Sequence, residues 1–462
     1  MKLDLIQPRH NYAAKEGEGH VYMPTSLFTV GSRLLTAGLD VTFHDENLKP
    51  REISADHVGF NLLGAPYIPE VIKLQETIKK ESGEKTFLVG GRVISGLNPS
   101  QLEKLFGNST YNGNDDTILT KVFGIDVREL VPSEKTSLIP AYERLEDEVM
   151  KEYLSREFSL YVSQGCKFAC DFCAAVRTYK DPETGEIVKV KEVYRDIDII
   201  KTDVDYLVRK AKNFGLDQLQ LYMSNLDVFQ TPTKLLQFAY AMQEVQKNHP
   251  GFRIDLRGLA TVDSFLHARE SLPRSIEELV NAGFHTVGFG IDGWTKDVWK
   301  AVKKGHNSEE KCLDAIRSSK QDFRMIPEIL MVFGHPAADS EASLSAAYGI
   351  TQMAIEAYGA IPRPHVSKSF IPGNNGWRSI DHKKAIESIL EDTESFQSLD
   401  FTALPSSVTH PNPRIRKLAT KYFLEMCKLP GNTTQYVKSI TPDLGQKERE
   451  EVRKFNEGRF DR

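Results

Sequence analysis

The sequence has little cysteine, no long apolar run and no strong charge imbalance, and each absence narrows the class of protein. Five cysteines in 462 residues, an odd number, do not indicate a disulfide framework, and a reducing cytoplasm is expected. No window approaches about 18 uninterrupted apolar residues, so a membrane span is not expected. The start, "MKLDLIQP", does not read as a signal peptide. A net charge of −5 gives no electrostatic reason to expect nucleic-acid binding.

Three of the five cysteines are crowded into one short stretch, "YVSQGCKFACDFC". Cys166, Cys170 and Cys173 have the spacing C-x3-C-x2-C, whereas Cys312 and Cys427 stand alone. A structural zinc site needs four ligands, and here the fourth would have to come from a distant part of the fold. Soft thiolates also hold iron–sulfur clusters, and three of them leave one iron of a cubane open to a substrate or cofactor.

This spacing, with an aromatic residue just before the last cysteine (Phe172), resembles the signature of the radical S-adenosylmethionine (SAM) family. The resemblance implies a [4Fe–4S] cluster on Cys166, Cys170 and Cys173, with SAM bound at the open iron. In that family an electron from the cluster cleaves SAM to a 5′-deoxyadenosyl radical, which abstracts hydrogen from a substrate.

Strand and helix patterns alternate from the cysteine stretch onward. "FSLYVSQG" (158–165) predicts a strand that ends at the cysteines. Five further strand patterns follow, with helical patterns between them: 216–223, 253–260, 285–292, 324–334 and 364–372. Six strands with intervening helices predict a parallel, partial (β/α)6 barrel, which is the arrangement of the radical SAM core.

The resemblance also implies SAM-binding residues beyond Phe172. "YMSNLD" places Ser224 and Asn225 where the family has a motif that faces the SAM amino group; a simple strand-to-helix turn is the alternative. Arg257 resembles an arginine that pairs with the SAM carboxylate, and a surface salt bridge is its alternative. Asp292, in "GFGIDG", stands where the family usually has a glutamate that contacts the ribose or supports the site.

Residues 1–125 show a separate alternation of strands and helices, which predicts a doubly wound, Rossmann-like parallel sheet. Residues 1–125 contain no G-x-G-x-x-G, so a dinucleotide ligand is not supported for this domain. The order of elements resembles the cobalamin-binding domain that precedes many radical SAM cores, although the D-x-H-x-x-G motif of that domain is missing. Strand ends, where turn chemistry is the alternative, supply the cobalamin-binding candidates Asn61, Leu62, Gly64, Gly90, Gly91, Arg92 and Val93.

The chain is 40% hydrophobic and 27% charged, which is a globular profile. Four segments are expected in it. They are the Rossmann-like domain (1–125), a linker (126–155), the radical SAM core (156–372) and a mainly helical C-terminal cap that shapes the substrate pocket (373–462). The charged ending "GQKEREEVRKFNEGRFDR" is predicted to be a solvated helix.

The leading functional hypothesis is a cobalamin-dependent radical SAM enzyme, a methyltransferase that acts on an unactivated carbon of a small-molecule or natural-product substrate. Radical chemistry without methyl transfer (cyclisation, oxidation or carbon–carbon coupling) is the first alternative. A cluster- or cobalamin-based sensor without turnover is the second, and a zinc-stabilised scaffold is the third. An electron donor of the flavodoxin or ferredoxin type is the expected partner, and neither a membrane nor a nucleic acid is expected.

Overall fold

The computed structural model contains two parallel sheets, followed by a helical C-terminal region. None of its described helices is both long and apolar enough to cross a membrane. The stretch predicted to be a solvated C-terminal helix lies outside the described residues. The structure describes residues 1–9, 23–107, 110–111, 120–126, 131–174, 179–180, 187–188, 192–336, 338–401, 403, 406 and 408–429.

The N-terminal sheet has five strands: β1 (Lys2–Gln7), β2 (Asp40–Asp45), β3 (His57–Asn61), β4 (Thr86–Gly90) and β5 (Thr110–Tyr111). All pair in parallel in the order β2–β1–β3–β4–β5. Strands β1, β3 and β4 are buried nearly throughout, as expected for a parallel sheet that is covered on both faces. The prediction of a doubly wound sheet is confirmed.

Four helices accompany this sheet: α1 (Thr25–Thr36), α2 (Tyr67–Ser82), α3 (Arg92–Ser95) and α4 (Pro99–Phe106). The chain leaves α1 through Gly38, whose φ of 85° is a left-handed conformation that favours glycine. In this strand order the topology reverses between β1 and β3, and ligands of doubly wound sheets bind at that reversal, beyond the carboxyl ends of the strands.

The second sheet begins with β6 (Glu157–Leu160), which is followed by two short antiparallel pairs. These are β7 (Ser163–Gln164) with β10 (Val193–Tyr194) and β8 (Tyr179–Lys180) with β9 (Ile187–Val188). The remaining strands are β11 (Gln218–Met223), β12 (Arg253–Ala260), β13 (Phe284–Gly290), β14 (Ile326–Phe333) and β15 (Ile361–Val366).

Strand β6 and strands β11 to β15 form one parallel sheet in the order β15–β14–β13–β12–β11–β6. In the described part of the chain β6 and β15 are edge strands that do not pair with each other, so the sheet is an open half-barrel. The predicted partial (β/α)6 barrel is confirmed.

Helices connect the strands of the half-barrel, and several begin at a side-chain cap, as at Thr261, Ser308 and Ser340. Their apolar residues are buried against the sheet in one large hydrophobic cluster. The helices are Ile197–Asn213, Pro232–Asn248, Val262–Ser271, Arg274–Asn281, Lys296–Ala301, Glu309–Gln321 and Glu341–Tyr358.

Two strands differ from the sequence prediction by more than two residues at a boundary. "FSLYVSQG" does not form one strand, because β6 ends at Leu160 and β7 pairs with a different partner. The last strand occupies Ile361–Val366 rather than 364–372, because its pairing with β14 ends at Val366 opposite Phe333, and the Val366 N–H bonds to the Phe401 carbonyl. Hydrogen bonds to distant segments decide both boundaries, and periodicity does not reveal them.

The segment predicted to be a linker is packed into the half-barrel core. Its short helices, Ile139–Tyr142 and Asp147–Leu154, bury Tyr142 and Tyr153 in the same hydrophobic cluster as the barrel strands. The Tyr153 hydroxyl also donates a hydrogen bond to Asp45 at the end of β2 (2.6 Å). Residues 139–154 therefore contact both sheets and are not a loosely attached linker.

The C-terminal region contacts both sheets. Trp377 and Phe396 belong to the hydrophobic cluster of the N-terminal sheet, whereas helix Pro413–Cys427 packs in the half-barrel cluster. The remaining helical elements of this region are Gly376–Arg378, Ile380–His382, Lys383–Glu391 and Thr393–Leu399. A further short 3-10 helix, Ser133–Lys135, precedes the half-barrel.

A chain of alternating charges crosses the interior of the half-barrel. Arg257 of β12 forms ion pairs with Glu157 of β6 (2.8 Å) and with Glu328 of β14 (3.0 Å), and Arg363 of β15 pairs with the other oxygen of Glu328. Glu328 is only 1% exposed. Burial raises its pKa, but the two arginines outweigh burial and hold the pKa below its ordinary value. The chain links the edge strands β6 and β15, which do not pair with each other.

The variant Glu328→Gln is expected to lower the free energy of unfolding by about 3 kcal/mol, because two half-buried arginines lose their shared carboxylate. Urea unfolding followed by circular dichroism measures this effect. The matched control is Glu152→Gln, which removes an exposed carboxylate paired with Arg156 and should change stability little. Equal effects of the two substitutions would contradict a structural role for the charge chain.

Candidate functional site

The three cysteines lie on the loop after β6, at the carboxyl end of the half-barrel. The chain enters this loop through Gly165, whose φ of 94° favours glycine. The N–H of Ser224, directly after β11, donates to the Leu160 carbonyl at the end of β6 (2.8 Å). The Lys167 N–H donates to the side chain of Gln230 in the same loop after β11. The loops after β6 and β11 are thus bonded to each other.

The "AVKKGHN" turn (301–307), in the connection between β13 and β14, holds the cysteine loop from another side. The Asp171 N–H donates to the Val302 carbonyl (3.1 Å), and the Asp171 carboxylate pairs with Lys303 (2.8 Å). The Phe168 ring stacks on His306 with ring centroids 4.1 Å apart. The "AVKKGHN" turn therefore fixes the path of the cysteine loop.

The cysteines are poorly hydrated: Cys166 is 7% exposed, and Cys170 and Cys173 are half-buried. Burial raises the pKa of Cys166 to about 12 and that of Cys170 to about 11, although Lys304 opposes the rise at Cys170. Thiols with such values are protonated at neutral pH, so metal binding must release their protons.

Within the described residues, no three Cys, His, Asp or Glu side chains converge closely enough to hold one metal ion. A zinc ion requires such convergence, because all of its ligands bind a single atom. A cubane cluster does not, because each thiolate binds a different iron atom and the sulfurs remain apart. Soft thiolates suit an iron–sulfur cluster, and Cys166, Cys170 and Cys173 would supply three of the four ligands that a cubane takes.

Asn225 lies in the loop that bonds to the cysteine loop, as predicted, and it is 4% exposed. Neither its Oδ1 nor its Nδ2 has a hydrogen-bond partner in the described part of the chain. An unsatisfied buried amide costs about 1–3 kcal/mol. SAM binding by Asn225 stays a prediction, and its unsatisfied donor and acceptor are compatible with it. Ser224, next to it, is half-buried and contacts β6 through its backbone.

Asp227 holds the loop of Asn225 in place. It is completely buried and accepts hydrogen bonds from the Thr261 N–H (3.2 Å), the Thr261 hydroxyl (2.9 Å) and the Ser264 hydroxyl (2.6 Å). Burial raises the pKa of Asp227, and these bonds oppose the rise. The turn-forming composition of "YMSNLD" gave no sign of this role, because the donors come from a later helix.

Arg257 does not present a free guanidinium to the mouth of the half-barrel. Its Nη1 donates to both oxygens of Glu157, and its Nε and Nη2 donate to Glu328. The role predicted for Arg257 as a ligand of the SAM carboxylate stays a prediction, and this geometry argues against it. The alternative of a salt bridge describes the residue better, although the pairs lie inside the barrel rather than on the surface.

Asp292 is also engaged by the protein. Its carboxylate pairs with Lys304, which is 4% exposed and also donates to the Gly290 carbonyl. The backbone of Asp292 has a φ of 58°, one of three left-handed values among the described non-glycine residues. Contact with the ribose of SAM stays a prediction, since the carboxylate already has an internal partner.

His335 joins three loops at the mouth, and the sequence analysis did not identify it. It is 2% exposed; its Nε2 lies 2.7 Å from the Asp292 carbonyl and its Nδ1 lies 3.2 Å from the Ser367 hydroxyl. Its ring centroid is 6.0 Å from that of Phe172 in the cysteine loop. A polar residue directly after a strand of a parallel sheet, here in "GHP" after β14, is the signal that could have indicated it.

The cobalamin-binding candidates fall into two groups. Gly64, Arg92 and Val93 line a cavity of about 320 Å³, together with Phe172 and Cys173 of the cysteine loop. The cavity thus lies between the strand ends of the N-terminal sheet and the three cysteines, and residues 371–372 and 399–401 of the C-terminal region complete its wall.

Contacts within the protein account for three of the other four candidates. The Asn61 side chain bonds to Gln7 (2.8 Å) and to Ser26 (3.1 Å) at the reversal between β1 and β3, and Leu62 is fully buried. Gly91 has a φ of 107°, and a Cβ there would come within 2.3 Å of the Leu62 carbonyl oxygen. Gly90 faces open space. Ordinary turn and core packing therefore explains Asn61, Leu62 and Gly91.

The chain thus is an α/β protein that combines a doubly wound sheet with a parallel half-barrel, and the half-barrel carries a three-cysteine loop at its mouth. Residues 160–344 match the family described as the Radical SAM superfamily. The match covers the cysteine loop and strands β11 to β14 of the half-barrel.

Solved structures of the cobalamin-dependent S-adenosylmethionine radical enzyme OxsB share this fold. The form with aqua-cobalamin bound has a TM-score of 0.57 at 13% identity, over 86% of this chain and 57% of that chain. The apo, SeMet-labeled form has a TM-score of 0.56 at 12% identity, over 76% of this chain and 51% of that chain. The chain therefore spans little more than half the length of these structures. None of the curated proteins matches it.

The variant Asn225→Leu is expected to leave the SAM-free protein as stable as before or more stable, because it removes an unsatisfied amide. Its affinity for SAM should fall at least about tenfold, as one lost hydrogen bond predicts. Denaturant unfolding and calorimetric titration of SAM measure the two effects. The control Asn98→Leu removes the capping box of α4 and should do the opposite: lower stability with unchanged SAM affinity. Loss of stability in Asn225→Leu would contradict a ligand-binding role.

Proposed function

We propose that the protein is a radical SAM enzyme that binds a [4Fe–4S] cluster through Cys166, Cys170 and Cys173. The observation that carries this proposal is the three-cysteine loop at the mouth of a parallel half-barrel, beside the unsatisfied amide of Asn225. A cluster bound there supplies the electron that breaks the sulfonium bond of SAM and yields a 5′-deoxyadenosyl radical.

The residues of the chain bind SAM and exclude water from the site. Asn225 offers an acceptor to the SAM amino group and a donor to its carboxylate, because an amide provides both. The cavity beside Cys173 is walled largely by apolar side chains, among them Leu63, Val93 and Phe172. A dry wall protects a carbon radical from side reactions.

We further propose that the N-terminal domain binds cobalamin and that the enzyme transfers a methyl group to an unactivated carbon of a small molecule. The fold shared with OxsB, one structure of which holds aqua-cobalamin, supports this assignment. The position of Gly64, Arg92 and Val93 on a cavity that also reaches the cysteines supports it too. A cavity of about 320 Å³ suits a small substrate, so a corrinoid requires further room over the strand ends.

Radical chemistry without methyl transfer (cyclisation, oxidation or carbon–carbon coupling) is the alternative within the same superfamily, and a sensor without turnover is the alternative outside enzymes. Both use the same cysteine loop, and neither needs a corrinoid as methyl carrier. An external flavodoxin or ferredoxin is the proposed source of electrons.

The test of the first proposal is anaerobic reconstitution with iron and sulfide, followed by SAM and dithionite. The wild-type protein is expected to hold four irons and four sulfides and to release 5′-deoxyadenosine. Cys166→Ala, Cys170→Ala and Cys173→Ala should each abolish that release, whereas Cys312→Ala should not, because Cys312 is a buried core residue. A cluster without 5′-deoxyadenosine would favour the sensor, and full activity of any loop variant would refute the ligand assignment.

The variant Gly64→Val tests the cobalamin proposal. A side chain at Gly64 meets only Pro66 within the protein, at 3.5 Å, so the fold should be retained while the added methyl groups enter the cavity. Hydroxocobalamin affinity, measured by the corrin absorption bands, should fall at least about tenfold. Gly349→Val, where a side chain also meets open space but lies in helix Glu341–Tyr358, is the control. Absence of corrin from the wild-type protein would leave only the non-methylating alternatives.

A further inference from the structure

Lys304 is a buried ammonium beside the cysteine loop. It is 4% exposed, and its Nζ donates to the Gly290 carbonyl and to the Asp292 carboxylate. Burial lowers the pKa of Lys304, but Asp292 and nearby thiols outweigh burial, and the pKa lies above its ordinary value. Lys304 is therefore charged at neutral pH.

The position of this ion pair is fixed by several independent bonds. The N–H groups of Ile291 and Asp292 both donate to the Leu330 carbonyl (3.1 Å each), and His335 bonds to the Asp292 carbonyl. Asp292 is thereby held at a φ of 58°, a conformation that costs a non-glycine residue of order 1 kcal/mol or more. Such a conformation persists only where the surroundings impose it.

The turn that carries Lys304 is bonded directly to the cysteine loop. Its neighbour Lys303, at a φ of 55°, is also left-handed and pairs with Asp171, and His306 stacks on Phe168. Two of the three left-handed non-glycine residues in the described ranges thus lie in this one connection after β13. The geometry keeps the ammonium at a fixed place relative to the thiolates.

We propose that the buried ion pair of Lys304 and Asp292 sets the reduction potential of the cluster held by the three cysteines. This inference rests on the proposed function, because it requires a cluster on these cysteines. Lys304 and Asp292 are then positioning residues that act through the cluster and do not need to touch SAM or the substrate.

The physical reason is the charge that reduction adds. One electron from a flavodoxin- or ferredoxin-type donor enters the cluster, and no covalent bond forms or breaks in that step. The added negative charge is stabilised by a nearby cation and destabilised by a nearby anion, and both effects are strong where water is excluded. Loss of the Lys304 charge makes the cluster harder to reduce, and loss of the Asp292 charge makes it easier to reduce.

The experiment is a redox titration of the reconstituted protein, with the reduced cluster followed by its electron paramagnetic resonance signal. Lys304→Met should lower the midpoint potential, Asp292→Asn should raise it, and Lys304→Arg should remain near the wild-type value. Lys300→Met, which removes an exposed cation from helix Lys296–Ala301, is the matched control and should cause no shift.

A purely structural role makes a different prediction. Both Lys304→Met and Asp292→Asn would then lower the amount of cluster bound, while the potential of the bound fraction would stay unchanged. Shifts in the same direction, or no shift at all, would overturn the inference. If either single variant fails to fold, the double variant Asp292→Asn/Lys304→Met, which leaves no unpaired charge, should have a potential between those expected for the two single variants. A wild-type protein without a [4Fe–4S] cluster would instead refute the proposed function.

Discussion

The contact between the cysteine loop and the turn after β13 is the constraint on which the candidate site depends. The loop has little regular structure of its own, so its course is set by bonds to other loops: Asp171 to Val302 and Lys303, Phe168 to His306, and Lys167 to Gln230. All these loops meet because parallel strands end at the same edge of a sheet. The half-barrel thus places the loops at one edge, and the bonds between the loops set the positions of the site residues.

Buried charges in the barrel interior are likewise held in place by partners from other segments of the chain. Glu328 is nearly inaccessible, yet it lies between Arg257 and Arg363, and Lys304 is buried against Asp292. Removing such charges from water is costly unless each has a partner, so every charge in these sets fixes the position of another. In the first set each pair links strands that are adjacent or separated by one strand of the open sheet. In the second they link the loops at its mouth.

The sequence predicted the features that depend on local pattern and missed those that depend on partners far along the chain. Periodicity and glycine punctuation located both sheets, and the spacing of the cysteines located the loop. Arg257 was assigned to the SAM carboxylate by resemblance, yet its partners Glu157 and Glu328 lie 100 and 71 residues away. The ion pair of Lys304 with Asp292 and the hydrogen bonds of His335 to two other loops were missed for the same reason. The unsatisfied amide of Asn225 is visible only once its surroundings are folded.

The cavity between the two sheets explains why one chain would combine them. A doubly wound sheet binds its ligand beyond the carboxyl ends of its strands, and so does a parallel half-barrel. Here the two edges face each other, because Gly64 and Val93 from one sheet line the same cavity as Phe172 and Cys173 from the other. A molecule in that cavity is within reach of groups held by both edges. Under the proposed function this arrangement would let SAM and a corrinoid act on one substrate, because each would be held by a different edge.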